Sequence, residues 1–260
     1  SGVLVSDKNL FEEIGLCSLS TSNYPVSMLN MKELDALMYV KLDILGLDNI
    51  GIINETCRML GIERLTPDNT DLEDEDVWKS IRDDTTMIFQ WESESAQAYL
   101  KKFMSDKTIA KAKEVNPNFS YIKWFSFGNG LIRPGCASFR DDVAEGNNIV
   151  TGFKELDEFL SVTFGRVVMQ EDIMQFLVKF CGYSDAESDT VRRGIAKKYG
   201  TEKFIDEIHN RFLDYSHNTY GISIELLEEI FPPIKQGILD ATYYAFSWNH
   251  SDSYSCIGYI

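Results

Sequence analysis

The chain has 260 residues, 44% hydrophobic and 12% aromatic, enough to bury one large core or two smaller ones. No stretch approaches the roughly 20 consecutive apolar residues of a membrane span, and SGVLVSDKNL lacks the basic start and apolar run of a secretory signal, so a cytoplasmic protein outside the membrane is expected. A formal net charge of −16 argues against a uniformly basic nucleic-acid binder, yet from Lys101 to Arg140 eight bases face only Asp106 and Glu114.

Residues 1–50 hold two runs that read as strands, GVLVS and MYVKLDILG, rich in β-branched and aliphatic residues. The helical spacing of Ile50, Ile53, Cys57 and Leu60 predicts a helix fed by the second run, with Gly61 as its stop. An acidic segment from Thr70 is expected to hold a short helix packed through Val77, Trp78 and Ile81, followed by an extended stretch, MIFQW. Ser93 is a good N-cap for SESAQAYLKKFM, in which Ala96, Leu100 and Phe103 share an inward face.

Beyond Pro117, NFSYIKWFSFG reads as wholly or partly helical and leads to a turn at GNGLIRPG, marked by Gly128, Gly130 and Pro134. The polar stretch between Cys136 and Gly165 is expected to be a mobile excursion. Helices resume in EDIMQFLVKFCG, in SDAESDTVRRGIAKK after a Ser184 cap, and in EKFIDEIHNRFLDYSHN. Ser223 caps ISIELLEEIF, Pro232 and Pro233 break it, and HSDSYSCIGYI closes the chain without a stop signal, as expected of a piece of a longer protein. The predicted fold class is α+β, a small β-containing unit followed by a larger helical array.

The chemistry-bearing residues are few. Five scattered cysteines (Cys17, Cys57, Cys136, Cys181, Cys256) with no C-x-x-C pair fit reduced thiols better than disulfides or zinc. Alternation along a strand puts Lys41 and Asp43 on one face, as a surface ion pair or as part of a cleft. In VRRGIAKK, helical spacing puts Arg193 and Lys197 on nearly the same face with Arg192 close by, suited to a polyphosphate or to a solvated charged surface. His250 and Tyr254 are one turn apart, able to meet a phosphate and a base or to serve as core packing. Arg133 precedes a proline that holds its backbone extended, aiming its side chain at a ligand or at a salt bridge.

In this order the segments resemble the bacterial replicative DNA polymerases of family C. GVLVS resembles the family's palm strand, KLDILGL its third catalytic aspartate motif and IFQWES its phenylalanine-glutamine-x-glutamate-serine motif. LIRPG is similar to its arginine-proline-glycine turn, VVMQEDIMQFLVKFCGYSDAESDTVRRGIAKK to its central fingers block, and FSWNHSDSY to its F-N-K-S-H-x-x-x-Y segment. Met169 stands where the family has tyrosine, Cys136 where it has the turn's second proline, and Asn249 departs from its serine.

The resemblance implies that residues 1–50 form the C-terminal part of a palm and residues 51–260 a fingers domain truncated at its end. It implies that Asp43 is the third of three carboxylates holding two Mg²⁺ ions, with Lys41 neutralising phosphate charge. It further implies that Arg192, Arg193, Lys197, Lys198, His250, Tyr254 and Arg133 surround an incoming deoxynucleoside triphosphate. The implied partners are primer-template DNA, deoxynucleoside triphosphates and, through regions absent from this chain, other replisome proteins. The family's first two aspartates come from an upstream strand that this sequence lacks, so the chain by itself is expected to be inactive. The alternative is a non-catalytic, degenerate polymerase paralogue that acts as a binding or scaffold module.

Overall fold

The computed structural model describes residues 2–43, 46–196, 201–244 and 246–260. It divides into two compact units, Ser1–Ile52 and Ile53–Ile260. In the first, β1 (Gly2–Val5), α1 (Leu10–Glu13), β2 (Leu16–Cys17), β3 (Val26–Ser27), α2 (Met31–Ala36) and β4 (Val40–Asp43) follow one another. β1 pairs antiparallel with β4, and β2 with β3. Both strand runs expected from the sequence are present. The register Val3↔Leu42 and Val5↔Val40 puts four aliphatic side chains on one sheet face, where each stays about half exposed. The helices between them open on asparagine caps, and at Asn30 a reciprocal box with Glu33 satisfies two backbone donors.

α3 (Asp48–Leu60) begins near the end of this unit, and Gly61 follows it at φ +66°, the left-handed stop expected there. Helices then dominate: α4 (Glu75–Asp83), α5 (Glu94–Phe103), α6 (Asp106–Val115), α7 (Tyr121–Leu131), α8 (Arg140–Ala144) and α9 (Lys154–Phe159). They continue with α10 (Gln170–Cys181), α11 (Asp185–Ala196), α12 (Thr201–Tyr220), α13 (Ile224–Tyr244) and α14 (Trp248–Tyr259). The chain is thus α+β, with its helices concentrated after two small sheets. Ser93, Ser105 and Ser120 each accept a backbone N–H from three residues on. Ser184 does the same for Glu187, whose carboxylate accepts the Ser184 N–H in return. Among the described residues no helix is long and apolar enough to cross a membrane.

The helical unit contains two hydrophobic cores. One gathers Trp78, Trp91, Leu100, Phe103, Trp124, Phe125 and Phe127, and the other Phe153, Phe176, Leu177, Phe180, Ile208, Phe212 and Leu227. The inward faces expected of α4 and α5 are buried in the first. The chain crosses between the cores just before α10: Val167 belongs to the second, Val168 and Met169 to the first, and Ile173 to the second again.

Four local expectations are corrected. The GNG segment lies inside α7, where its glycines permit close packing: a Cβ on Gly128 would sit 2.8 Å from Phe103 Cε1, and one on Gly130 2.8 Å from Met169 Cε. MIFQW is a run of turns, with Met87 and Gln90 at φ 63° and 72°. The stretch from Cys136 to Gly165 holds α8, α9 and a 3-10 turn at Ser161–Thr163, tied down by buried Val143, Phe153, Leu156 and Leu160. Finally, α13 runs through Pro232 and Pro233. Buried Ile230, Phe231, Ile234 and Ile238 hold both halves against the second core, offsetting the two missing N–H donors.

Candidate functional site

The site is organised by α14, which a buried polar network fixes against α7. Trp91 Nε1 donates to Asn129 Oδ1 at 2.7 Å, and Asn129 Nδ2 donates to Ser251 Oγ and Ser255 Oγ, both at 3.1 Å. Ser251 Oγ donates to the Ser126 carbonyl at 2.6 Å, and Ser126 Oγ to Ser255 Oγ at 2.8 Å. Every one of these side chains is buried, so each bond stands in place of water. The small serines let the two helices approach, and the network sets their register.

The first turn of α14 is held from the start of α10. Glu171 accepts from Ser247 Oγ at 2.6 Å and from the Trp248 N–H at 2.9 Å, supplying the cap that Ser247 does not provide. Asp172 accepts from Trp248 Nε1 at 2.9 Å through one oxygen and from the Met169 and Val168 N–H groups, at 2.8 and 3.1 Å, through the other. Burial pushes its carboxyl up to about 6, while those three donors pull it down. Segments more than seventy residues apart therefore share one corner of the unit.

Phe246 lies at that corner. The Arg133 guanidinium carbon sits over its ring, 4.5 Å from the centroid. Tyr254 lies nearly parallel to it with centroids 5.9 Å apart, and His250 stands at 6.2 Å. Phe89 in turn stacks on Tyr254 at 4.3 Å. The Phe246 carbonyl accepts from the Gln170 N–H at 3.1 Å, and the Gln170 side chain accepts from Arg192 Nη1 at 3.2 Å. On α11, Asp189 joins both arginines, 2.8 Å from Arg192 Nη2 and 2.7 Å from Arg193 Nε. Arg192 is mostly covered, whereas the Arg193 side chain is 68% exposed.

Arg133, Arg192, Arg193, His250 and Tyr254 are thus linked through Phe246, Gln170 and Asp189. Lys197 and Lys198 lie outside the described residues. Lys41 is half-buried on β4 of the other unit; Asp43 is in that strand, and its side chain is outside what the structure describes. Among the described residues no three His, Cys, Asp or Glu side chains are grouped to hold a metal. A Mg²⁺ ion takes several oxygen ligands in near-octahedral geometry, so Asp43 by itself does not amount to a site.

Sequence reasoning missed Phe246, Gln170, Asp189 and Phe89 as parts of the site. The available signal was adjacency: Phe246 and Phe89 begin FSWNH and FQW, and Gln170 opens QED. What the sequence lacked was the pairing between those segments.

What this corner can do chemically is meet an anionic, ring-bearing ligand: three guanidinium groups for charge, an imidazole for a hydrogen bond, and aromatic rings for a base. Residues 125–219 match the family model of the bacterial DNA polymerase III alpha subunit finger domain. The whole chain is 27% identical, over 270 aligned positions, to a DNA polymerase III subunit alpha of Staphylococcus epidermidis, covering 23% of that protein. It is 27% identical to that of Ureaplasma parvum and 26% identical to that of Halalkalibacterium halodurans, again along its full length, covering 25% and 22% of those proteins. The chain spans about a quarter of the length of these curated relatives. From end to end it is similar to one segment of the bacterial DNA polymerase III alpha subunit, and residues 125–219 match the model of that subunit's finger domain.

Proposed function

We propose that this chain is the palm-end and fingers portion of a DNA-directed DNA polymerase, and that Arg133, Arg192, Arg193, His250 and Tyr254 form a pocket for an incoming deoxynucleoside triphosphate. The observation that carries this reading is the convergence at Phe246: three segments remote in sequence, each resembling a separate polymerase motif, meet there through specific contacts. In this reading Arg192 and Arg193 hold phosphate oxygens, with Asp189 keeping them paired until a triphosphate replaces its carboxylate. Lys197 and Lys198 would extend the phosphate-binding surface. Residues 1–50 would be the palm end and residues 51–260 the fingers. Asp43 would contribute one of the several carboxylates that a two-Mg²⁺ centre needs, with Lys41 beside it, for attack of a primer 3′-hydroxyl on the α-phosphate. The complete protein would act on primer-template DNA among replisome partners, in the cytoplasm.

Calorimetric titration of the chain with a deoxynucleoside triphosphate, with and without Mg²⁺, tests the pocket. Arg192→Ala/Arg193→Ala is expected to weaken binding at least about tenfold, the loss of charge-assisted bonds to phosphate. Absence of wild-type binding at millimolar nucleotide would favour a degenerate binding module instead. The chain alone is expected to incorporate no labelled nucleotide into a primer, because one aspartate cannot hold two metal ions. Incorporation that Asp43→Asn abolishes would sink that expectation.

A further inference from the structure

The segment from Met87 to Trp91 has features that stability alone does not favour. Two non-glycine residues within four positions, Met87 and Gln90, hold left-handed backbone conformations. Gln90 Oε1 is buried and has no hydrogen-bond partner. Phe89, the large apolar side chain between them, is 38% exposed. Such departures from local preference collect where a chain is shaped for a task.

The segment is nevertheless held firmly along α14. Trp91 is fully buried and donates to Asn129, which is bonded to Ser251 and Ser255. Ile88 lies against Gly258, where a Cβ would come within 3.3 Å of it. Between these anchors Phe89 stacks on Tyr254, one helical turn from Gly258, with an interplanar angle of 26°. Its ring extends the row of Arg133, Phe246 and Tyr254 by one member. The two left-handed residues bend the chain so that Phe89 lies on α14 instead of entering the first core with Trp91.

We propose that Phe89 is a positioning residue of the nucleotide pocket: it stacks on Tyr254 and fixes the orientation in which that ring meets the base of a bound nucleotide. The inference rests on the nucleotide-binding reading above and adds a residue which that reading does not require. A positioning role through Tyr254 concerns the base, whereas the phosphates are met by arginines on α11.

The test compares a deoxynucleoside triphosphate with inorganic tripolyphosphate as calorimetric ligands, using the full chain and its Phe89→Leu and Phe89→Tyr variants. Phe89→Leu is expected to weaken the nucleotide about five- to tenfold, the scale of one aromatic stacking contact, while leaving tripolyphosphate within about twofold. Phe89→Tyr, which keeps the ring, is expected to restore nucleotide affinity and so guards against a folding defect in the leucine variant. Unchanged nucleotide affinity in Phe89→Leu, or equal losses for both ligands, would overturn the role of Phe89 and leave the pocket standing. Failure of the wild-type chain to bind either ligand would overturn both.

Discussion

Asn129→Leu is expected to lower the stability of the helical unit by about 4 kcal/mol, read as a shift of the denaturant midpoint at constant slope. Leucine nearly matches the shape of asparagine, so the loss comes from hydrogen bonding and not from volume. The Trp91 indole N–H would be stranded in a buried position, which costs about 1–3 kcal/mol, and two bonds to Ser251 and Ser255 would disappear, at about 1 kcal/mol each. Replacing Trp91 by phenylalanine in the same chain removes the stranded donor. The double variant Trp91→Phe/Asn129→Leu should therefore be less destabilised than the sum of its two singles, by about 1 kcal/mol or more. A single variant that stays within 1 kcal/mol of wild type would show that α14 is held by apolar packing alone. Because α14 carries His250 and Tyr254, the same substitution should also weaken the nucleotide binding proposed for this corner.

The second large effect is a pH dependence centred on Asp172. Its carboxyl is raised by burial from the usual carboxylate range to about 6, so the folded chain keeps a proton that the unfolded chain releases near pH 4. The stability from this group is fully present below about pH 4 and is lost as pH rises through about 6. The total is about 3 kcal/mol, at roughly 1.4 kcal/mol for each unit of difference. Above pH 6 the ionised group still holds Trp248, Met169 and Val168, which is the arrangement the three donors require. Denaturant unfolding of wild type and Asp172→Asn between pH 4 and pH 7 isolates the contribution, since asparagine does not titrate. Wild type should fall relative to the variant by about 3 kcal/mol over that range. Parallel profiles would mean that the carboxyl titrates normally.

What the sequence revealed was local. Ser93, Ser184 and Ser223 were legible as helix caps because a hydroxyl and an N–H three residues later are fixed by the helix itself. The inward faces of α4 and α5 were legible from spacing, since 3.6 residues per turn leave one stripe to bury. Gly128 and Gly130 misled because glycine has two uses. The sequence shows the missing side chain without saying whether the backbone needs it for a turn or Phe103 and Met169 need it for room. Pro232 and Pro233 misled for another reason: burial on both sides of them outweighs a local defect in the helix.

The site followed the same division. Arg133, Arg192, Arg193, His250 and Tyr254 could be named from motifs, one segment at a time. Their meeting depends on a bond between the Gln170 N–H and the Phe246 carbonyl, across 76 positions, and on Asp172 reaching Trp248. Backbone carbonyls look alike in every sequence, so nothing in the residue types announces such a pairing. Phe89 was hidden in the same way, because FQW read as an extended stretch gives no hint that Phe89 and Trp91 take separate paths.

The crossing of the chain between its two cores at Val167 and Val168 bears on how the unit deforms. Each core is a dense body of aromatic and aliphatic side chains that resists shear, and directional bonds such as that from the Gln170 N–H to the Phe246 carbonyl join their margins. Arg192 rides with the second body, and Arg133, Phe246 and Tyr254 ride with the first; Gln170 is a tie between them. A small rotation of one body against the other would change the span from Arg192 to Arg133 while leaving the interior of each body as it is. The residues proposed to meet triphosphate and base thus sit on both sides of the boundary between the two cores, like the two jaws of a caliper.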